Sequence, residues 1–407
     1  MKFKSAAFLL FLLLTLPVRL FADFKLLDAI EEFGEKRYVK PLASRLKAGP
    51  VRIHPSLTNQ AQYDSNILLA SPDPREDVIF NIQPGVILEL PIDKHQLAVG
   101  YEADFEYFSK RKDGNQNDQN QNFFALADFS FPSWYVNVLE NFSETSGRSG
   151  TTFTERIPRY DQSINPKIGY RRKRFTFESG FRHFVRDFRR QIDDPFDFQM
   201  VEYTGVLFYD LFARLKALLE YQWGQIDYDD NAQRKGTFNQ VRAGLEGEIF
   251  PNLIAKVRAG PQFRNYRLSS KPDFYSWVAN VSLEYRIRKN LKLKTGFSRN
   301  AVEATFGNVN FYKEHLLNFG VDYQVRPKWT LFSEFRYFRH HYAERATISP
   351  VTAFRRDNHV RSRSGIRYEP QEWLDLVLDY EFLFRDSNFP DLEYTDHRVT
   401  LSSNLKY

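Results

Sequence analysis

The 407-residue sequence predicts an all-β fold. The expected architecture is a transmembrane, antiparallel up-and-down β-barrel of about 18 strands, within a range of about 16–18, after a short N-terminal helix. Three observations predict it. Apolar residues recur at every second position, short turn signals alternate with longer polar stretches, and the composition is aromatic-rich yet polar on average.

The alternation is clearest in residues 374–384, where every second residue is apolar and Asp375, Asp379 and Glu381 lie between. A strand turns successive side chains to opposite faces, so one face is apolar and the other charged. In a soluble sandwich the apolar face would contact a second sheet. In a membrane barrel it would contact lipid, and the polar face would line a water-filled lumen. The segment Val78–Leu90 alternates in the same way, and its one irregularity, Pro84, predicts a bulge.

The N-terminus has the features of a secretory signal peptide, which we assign to residues 1–22. Lys2 and Lys4 form its basic region, residues 6–16 its apolar core, and Ala22 is the small residue before the cleavage site. The apolar run is shorter than the roughly 20 residues of a membrane-spanning helix, and no later run approaches that length. The mature chain is therefore expected to leave the cytoplasm without helical membrane spans.

The C-terminus resembles the strand by which outer-membrane barrels are recognised by the barrel assembly machinery. The chain stops on an aromatic ring, and four residues would share one face: Val399, Leu401, Leu405 and Tyr407. Together with the signal peptide, this pattern favours a barrel in the outer membrane of a Gram-negative bacterium. Membrane lipid and the assembly machinery, through this last strand, are therefore expected partners.

The composition agrees with a membrane barrel. The chain contains 39 Phe, 22 Tyr and 5 Trp, yet its mean hydropathy is negative. Barrels combine these properties because only alternate strand residues face lipid, with aromatic girdles at both interfaces. Cysteine is absent, which excludes disulfides and thiolate metal ligands. The formal charge of +6 includes Lys2, Lys4 and Arg19 of the signal peptide, and the remainder is too small to indicate a nucleic-acid partner.

Eight short turn signals divide the chain into hairpins. They are rich in Pro, Asn and Asp, and Trp134, Trp329 and Trp373 closely follow three of them, where an interfacial girdle would lie. The turns are residues 91–94, 132–133, 172–173, 210–211, 251–252, 289–290, 327–328 and 370–372. The longer polar stretches are residues 110–122 and those near 69–77, 145–161, 187–198, 227–237, 268–275, 302–313, 343–356 and 387–393. Eight turns alternating with nine loops correspond to about 18 strands.

Residues 23–50 differ from the rest of the chain. Apolar residues recur at helical spacing from Leu26 to Phe33, and Pro41 should end that helix. We predict a periplasmic helical segment here, followed by the barrel domain, residues 51–407. The alternative interpretation is that the segment plugs the pore or contacts a periplasmic partner.

The polar faces of the strands carry an uneven charge. The early strands contribute the acids Glu89, Glu102, Asp104, Glu106 and Asp128. The later strands contribute mostly bases: Arg182, Arg186, Arg214, Lys216, Arg242, Lys256, Arg258, Arg286, Arg288, Lys292, Lys294, Arg336 and Arg363. Two interpretations remain open. The bases form ion-pair ladders with interleaved acids, or they form a basic track that concentrates an anionic solute, since a low-dielectric wall focuses such a field.

Two short motifs carry a resemblance to a known family. The segment Arg52–Leu57 is followed by Tyr63, Asp64, Ser65, Asn66 and Ile67, and Arg385–Phe389 echoes that second motif before the last strand. The first pair of segments resembles the entry to the barrel in the putative beta-barrel porin 2 family of outer-membrane proteins, and the likeness of architecture covers residues 50–407. Family members are often associated with exopolysaccharide production, so the resemblance implies a terminal pore for an exported polymer. Asp64, Ser65 and Asn66 either bind a sugar or cation, or order a turn between strand and loop.

No catalytic, cofactor or metal site is predicted. Among the eight histidines, His397 lies near Ser387 in sequence, but no nucleophile elbow surrounds either residue. Neighbouring side chains on a strand point to opposite faces, so His340 and His341 cannot easily share a metal ion. The sequence also shows no glycine-rich phosphate loop, zinc spacing or calcium loop.

Three functions remain, in order of preference. The first is an export pore for an anionic exopolysaccharide, which should need periplasmic polysaccharide-export proteins. The second is a general or solute-specific diffusion porin, which should conduct in isolation. The third is an outer-membrane structural or adhesive protein, which should act through its loops. The sequence indicates neither the substrate, nor the direction of transport, nor the oligomeric state.

Overall fold

Alternating apolar and polar residues form long antiparallel strands that close into a barrel. The computed structural model describes residues 46–71, 73–110, 119–148, 156–229, 234–267, 273–304, 309–348 and 351–406. Eighteen strands make up the closed wall, and each pairs with the strands before and after it. The predicted fold class and strand number are therefore confirmed.

A short strand, β1 (Leu46–Ala48), precedes the barrel. The barrel strands of the first half are β2 (Val51–Asp64), β3 (Asp77–Ile92), β4 (His95–Phe108), β5 (Gln119–Ser130), β6 (Trp134–Thr145), β7 (Arg159–Arg172), β8 (Phe175–Phe188), β9 (Phe198–Phe212) and β10 (Leu215–Tyr228). Those of the second half are β11 (Gly236–Phe250), β12 (Leu253–Tyr266), β13 (Phe274–Arg288), β14 (Leu291–Glu303), β15 (Phe311–Arg326), β16 (Trp329–Ile348), β17 (Val351–Gln371), β18 (Leu374–Ser387) and β19 (Tyr394–Lys406). In the described connections, short 3₁₀ helices lie at Gln191–Phe196 and Pro390–Leu392.

The barrel closes between β19 and β2. Their pairing runs from Arg398 opposite Asp64 to Lys406 opposite Ser56. The preceding strand β1 adds a short hairpin arm to β2. This hairpin turns through Gly49, whose φ of +62° lies in the left-handed region that glycine adopts without steric cost.

The two faces of the wall differ as the alternation predicts. In β18, Leu378 and Tyr380 are about half exposed on the outside, whereas Asp379 and Glu381 are buried on the inside. Connections at one end of the barrel are short turns, and most of those at the other end are longer. In outer-membrane barrels the short turns face the periplasm, so the two ends are called periplasmic and extracellular below.

Two predicted connections lie elsewhere. The turn expected at 210–211 follows Phe212 instead, because Asp210 still pairs with Lys216 in the β9–β10 ladder. The loop expected at 343–356 is largely a strand pair, because β16 and β17 remain paired up to Ile348 and Val351. Polar residues beyond the membrane need no apolar alternation, so the sequence pattern does not show how far such strands extend.

The bulge predicted at Pro84 is wrong. Pro84 lies opposite Leu57 of β2 without a register shift. On the other side, the β3–β4 pairing passes from Ile82 to Gly85 and skips Pro84. The ladder tolerates the missing N–H of proline by omitting a contact rather than by inserting a residue.

The predicted signal peptide, residues 1–22, lies outside the described residues. Residues 23–45, which make up most of the predicted helical segment, lie outside them as well. The only part of that segment with described secondary structure, Leu46–Ala48, is a strand rather than a helix. No described helix has the length and apolar character needed to cross a membrane.

Candidate functional site in the lumen

The inner wall carries ion pairs that connect neighbouring strands. In β10–β12, the buried Glu220 accepts hydrogen bonds from Arg242 Nε at 2.7 Å and from Arg258 Nη1 at 3.0 Å. Arg258 also donates to Glu246 at 3.0 Å. The register explains these contacts, because Glu220 lies directly opposite Arg242 and cross-strand neighbours share a face.

A second ladder joins β17, β18, β19 and β2. Arg363 donates to both oxygens of Asp379, at 2.8 and 2.7 Å, in a bidentate pair. Arg398 on the last strand lies 3.0 Å from Asp64 on one side and 3.5 Å from Glu381 on the other. One guanidinium therefore links both neighbouring strands at the barrel closure.

The thirteen bases predicted to line the lumen are mostly neutralised. Eleven have a carboxylate oxygen within 4.0 Å: Arg182, Arg186, Arg214, Lys216, Arg242, Arg258, Arg286, Lys292, Lys294, Arg336 and Arg363. Lys256 lies opposite Glu246, and Arg288 ends β13 at the periplasmic rim. Arg214 lies in the β9–β10 turn with 78% of its side chain exposed, outside the wall where the prediction placed it. This arrangement favours the ion-pair interpretation over a bare basic track.

The early strands face the lumen with acids, as expected, but also with apolar groups. Glu89 is buried and contacts His54 Nε2 at 3.1 Å, while Glu106 pairs with Arg156 of the β6–β7 connection. A small apolar cluster of Ala98, Phe124, Leu126 and Leu139 lies between β4 and β6. The alternation in the sequence did not indicate this cluster, because apolar residues lie on both faces of β5 there.

On β13–β18 the inner wall is exposed toward its periplasmic end and covered toward its extracellular end. The side chains of Arg286 and Lys294 are 63% and 50% exposed. In contrast, Arg355, Asp357 and Arg385, near the extracellular ends of β17 and β18, are 0% exposed. All five lie inside the barrel, so solvent reaches the periplasmic half of this wall and is excluded from the extracellular half.

Two arginines, the buried Arg234 and the half-buried Arg148, join extracellular connections that are far apart on the wall. Arg234 in the β10–β11 connection donates Nη1 to the carbonyl of Ala304, after β14, and lies 5.1 Å from the ring centroid of Phe196, before β9. Arg148, after β6, donates Nη2 to the carbonyl of Ile67, after β2, at 2.5 Å. Four strands separate the joined connections in each case, β11–β14 and β3–β6, so each bridge spans at least three strand spacings, about 14 Å of wall. The connections therefore lean inward over the barrel mouth. Sequence reasoning missed both residues, since an arginine in a polar loop gives no signal of a buried partner.

Three potential metal ligands meet on the covered wall. His340, Asp357 and His359 are buried, and one ligand atom of each lies within 4.8 Å of the others. Both carboxylate oxygens of Asp357 already accept hydrogen bonds from Arg355 Nε, at 2.9 and 3.1 Å, and Arg385 Nη2 lies 3.4 Å from Asp357 Oδ2. A divalent cation held by these three residues would therefore face two guanidinium groups beside the one carboxylate among them, which disfavours a metal. His341 points to the opposite face, as predicted, and takes no part.

The family motif residues form a hydrogen-bonded clasp between the first and last barrel strands. Ser65 Oγ donates to Asp396 at 3.1 Å and accepts from His397 N at 2.8 Å. The Asn66 side chain donates to the carbonyls of Ala70 and Thr395 and accepts from Ala70 N, at 2.9–3.1 Å. Asp64 accepts a hydrogen bond from Asn66 N at 2.9 Å. The Tyr63 hydroxyl donates to the Glu76 carboxylate, and Ile67 N donates to the Arg75 carbonyl. These contacts are those expected of residues that order a turn.

The echo of this motif forms a second clasp at the end of β18. Ser387 Oγ donates to Asp357 at 2.7 Å, so again a serine after an aspartate bonds an aspartate on the adjacent strand. The Asn388 side chain accepts from Arg356 N at 2.8 Å and donates to the Phe354 carbonyl at 3.0 Å. The two Asp-Ser-Asn segments thus share one structural role.

An acidic group on the extracellular connection between β8 and β9 has an altered titration. Asp197 accepts a hydrogen bond from Phe188 N at 2.7 Å. Burial raises the pKa of its carboxyl from the ordinary 3.8 to about 7, assisted by the nearby negative charges of Asp187, Asp194 and Asp229. The packing of this connection therefore depends on pH.

Comparison with known proteins gives a family and several similar folds. The family model described as putative beta-barrel porin 2 matches residues 189–407. OpdK of Pseudomonas aeruginosa, solved with vanillate, is 10% identical, with 87% of this chain and 99% of that chain covered and a TM-score of 0.49. OccAB4 of Acinetobacter baumannii is 11% identical, with 88% and 98% covered and a TM-score of 0.49. The siderophore receptor PirA of P. aeruginosa is 11% identical, with 87% and 80% covered and a TM-score of 0.46. No curated protein matches the sequence.

Proposed function

Because the chain belongs to the putative beta-barrel porin 2 family, an outer-membrane β-barrel family, we propose that it is a diffusion channel for small polar solutes. It lies in the outer membrane of a Gram-negative bacterium, and its 18-stranded wall is of the size that encloses an aqueous lumen. The proposal that small solutes diffuse through this lumen is based on its inner surface and on its extracellular mouth.

The single observation that carries this proposal is the inward packing of the extracellular connections. Arg234 and Arg148 each join connections that are separated by four strands; the Arg234 side chain is buried and that of Arg148 is half-buried. Breaking a charge-assisted hydrogen bond costs roughly 1.5–3 kcal/mol, so these bridges hold the connections inward over the mouth, while solvent reaches the periplasmic part of the inner wall on β13 and β14. Such a shape suits small solutes better than a continuous polymer chain.

The charge of the wall bears on selectivity. Most lumenal bases have an acidic partner within 4.0 Å, such as Arg363 with Asp379 and Lys292 with Glu284. A paired wall presents alternating dipoles rather than one strong field, and it concentrates neither cations nor anions strongly. We therefore expect weak ion selectivity in this channel.

Polymer export, the function preferred from the sequence, is supported by the family association alone. The family match itself names a porin, and the packed mouth would have to open widely to pass a polysaccharide. Diffusion of small solutes is therefore the better-supported function, and the polymer hypothesis becomes an outcome of the test.

The test combines conductance with solute size. The purified, folded protein is inserted into planar bilayers, and liposome swelling is measured with neutral sugars of increasing size. Steady conductance and entry of mono- and disaccharides but not of longer oligosaccharides are expected. Absence of conductance and swelling, together with loss of surface polysaccharide in a deletion strain that complementation restores, would refute diffusion in favour of export. Unchanged surface polysaccharide in the deletion strain, together with absence of conductance, would refute both transport functions and favour an adhesive or structural function.

A further inference from the structure

Four cationic side chains and two histidines form a patch on the outside of β14–β17. They occupy two adjacent rungs of the ladder. The first rung places Arg299, His315 and Arg339 opposite one another. The second rung, nearer the extracellular end, places Lys313, His341 and Arg356 in the same way. Cross-strand neighbours share a face. The remaining positions of the two rungs on β14–β17 are Ala301 and Asn358, so neither rung carries an acid on these four strands. The nearest acid of the first rung is Asp386 on β18, which accepts a hydrogen bond from Asn358 at 3.0 Å.

Contacts among these side chains make the patch continuous. The Arg299 guanidinium lies 4.2 Å from the ring centroid of Trp277, which is half exposed on the outer face, and donates Nε to His315 Nε2 at 3.0 Å. The rings of His315 and His341 meet edge to face, with centroids 6.1 Å apart. Arg339 remains exposed beside them. The outer wall therefore presents a basic surface rather than scattered charges.

The patch begins where the lipid-facing apolar surface ends. Below it on β15 and β16, Leu317, Phe319 and Phe335 are 40–49% exposed on the same face. Arg339 lies ten residues beyond Trp329, which follows a periplasmic turn on the same strand. With a rise of about 3.4 Å per residue and a tilt of about 40°, this corresponds to about 26 Å, close to the apolar band of about 25 Å. The patch therefore lies at the headgroup level of the outer leaflet.

We propose that this patch binds the phosphate groups of the glycolipid that forms the outer leaflet. Guanidinium groups match phosphate oxygens in fixed, often bidentate geometry. Clusters of basic residues at a membrane interface recognise anionic headgroups. Four adjacent strands make the patch about 14 Å wide, enough for two phosphates carried on one sugar headgroup. The site lies on the outer wall and is independent of what passes through the lumen.

The test uses the intact protein in detergent micelles, with native mass spectrometry as the readout. The probes are bis-phosphorylated lipid A, the same lipid A after removal of its phosphates, and phosphatidylglycerol. The folded protein should retain phosphorylated lipid A in preference to the other two. The double variant Arg339→Gln/Arg356→Gln should weaken that binding roughly thirtyfold, the effect expected for two cations at a membrane surface.

The control is Arg267→Gln, which removes an exposed extracellular arginine after β12, outside the patch. It should leave lipid A binding unchanged. Heat-modifiable migration on gels checks that each variant is folded, and the comparison of lipids on the wild-type protein needs no variant. Equal retention of phosphorylated and dephosphorylated lipid A would overturn the proposal. Equal binding of phosphatidylglycerol, or an equal loss in the control, would reduce the patch to non-specific surface charge and would likewise overturn it.

Discussion

Glu220→Gln should make the channel more selective for anions. Glu220 is the shared acceptor of Arg242 and Arg258 on the inner wall. The isosteric amide keeps the volume and removes one negative charge, so the wall gains one uncompensated positive charge. A unit charge about 5 Å from a permeating ion in water contributes about 0.8 kcal/mol. Salt screening reduces this value, and the chloride-to-sodium permeability ratio should rise about two- to fourfold.

The assay is the reversal potential of single channels under a salt gradient. The matched control is Glu248→Gln, which removes a carboxylate from the exposed Arg214 pair at the periplasmic rim and should change the ratio little. Arg258 keeps Glu246 as a partner. The stability loss should therefore fall near the lower end of the roughly 3–5 kcal/mol typical for breaking a buried ion pair. An unchanged permeability ratio in a folded Glu220→Gln barrel would show that this ladder does not border the conduction path.

Three further predictions follow from the extracellular end. Asn66→Ala removes three hydrogen bonds of the closing clasp and should lower the free energy of unfolding in urea by about 3 kcal/mol. Arg234→Ala should widen the mouth and admit larger sugars in liposome swelling, whereas Lys235→Ala next to it should not. Because the pKa of Asp197 is raised to about 7 in the folded state, packing of residues 189–197 should weaken as pH rises from about 4 to about 7 and change little above. Amide exchange at pH 5 and 8 should show this difference, and Asp197→Asn should abolish it.

The alternation of residues was sufficient to predict the barrel and the two faces of its wall. Both depend on a period of two that is local to one strand, as in β18, where Asp379 and Glu381 face inward. The strand number came from the count of turn and loop signals. Most turn positions were predicted for the same reason, since Pro and Asn act on the backbone around them.

The partners of the charged side chains depend on register between strands, which the sequence does not display. Arg398 meets Asp64 although more than three hundred residues separate them. The inward lean of the connections was also beyond prediction, because Arg148 and Arg234 find their partners only once the strands between the joined connections have paired. The lumen was therefore predicted in composition but not in pairing.

The clasp at the closing seam has a consequence for how the molecule is built. Ser65 and Asn66, near the start of the barrel, can form their hydrogen bonds only when Asp396 and Thr395, near its end, are in place. Contacts between such distant residues form late in folding, because the intervening chain must first be ordered. Until then β2 and the growing wall present unpaired edges that can pair with other chains. The seam can therefore form only when the last strand has been synthesised. A chain that loses this strand should remain an open, aggregation-prone sheet.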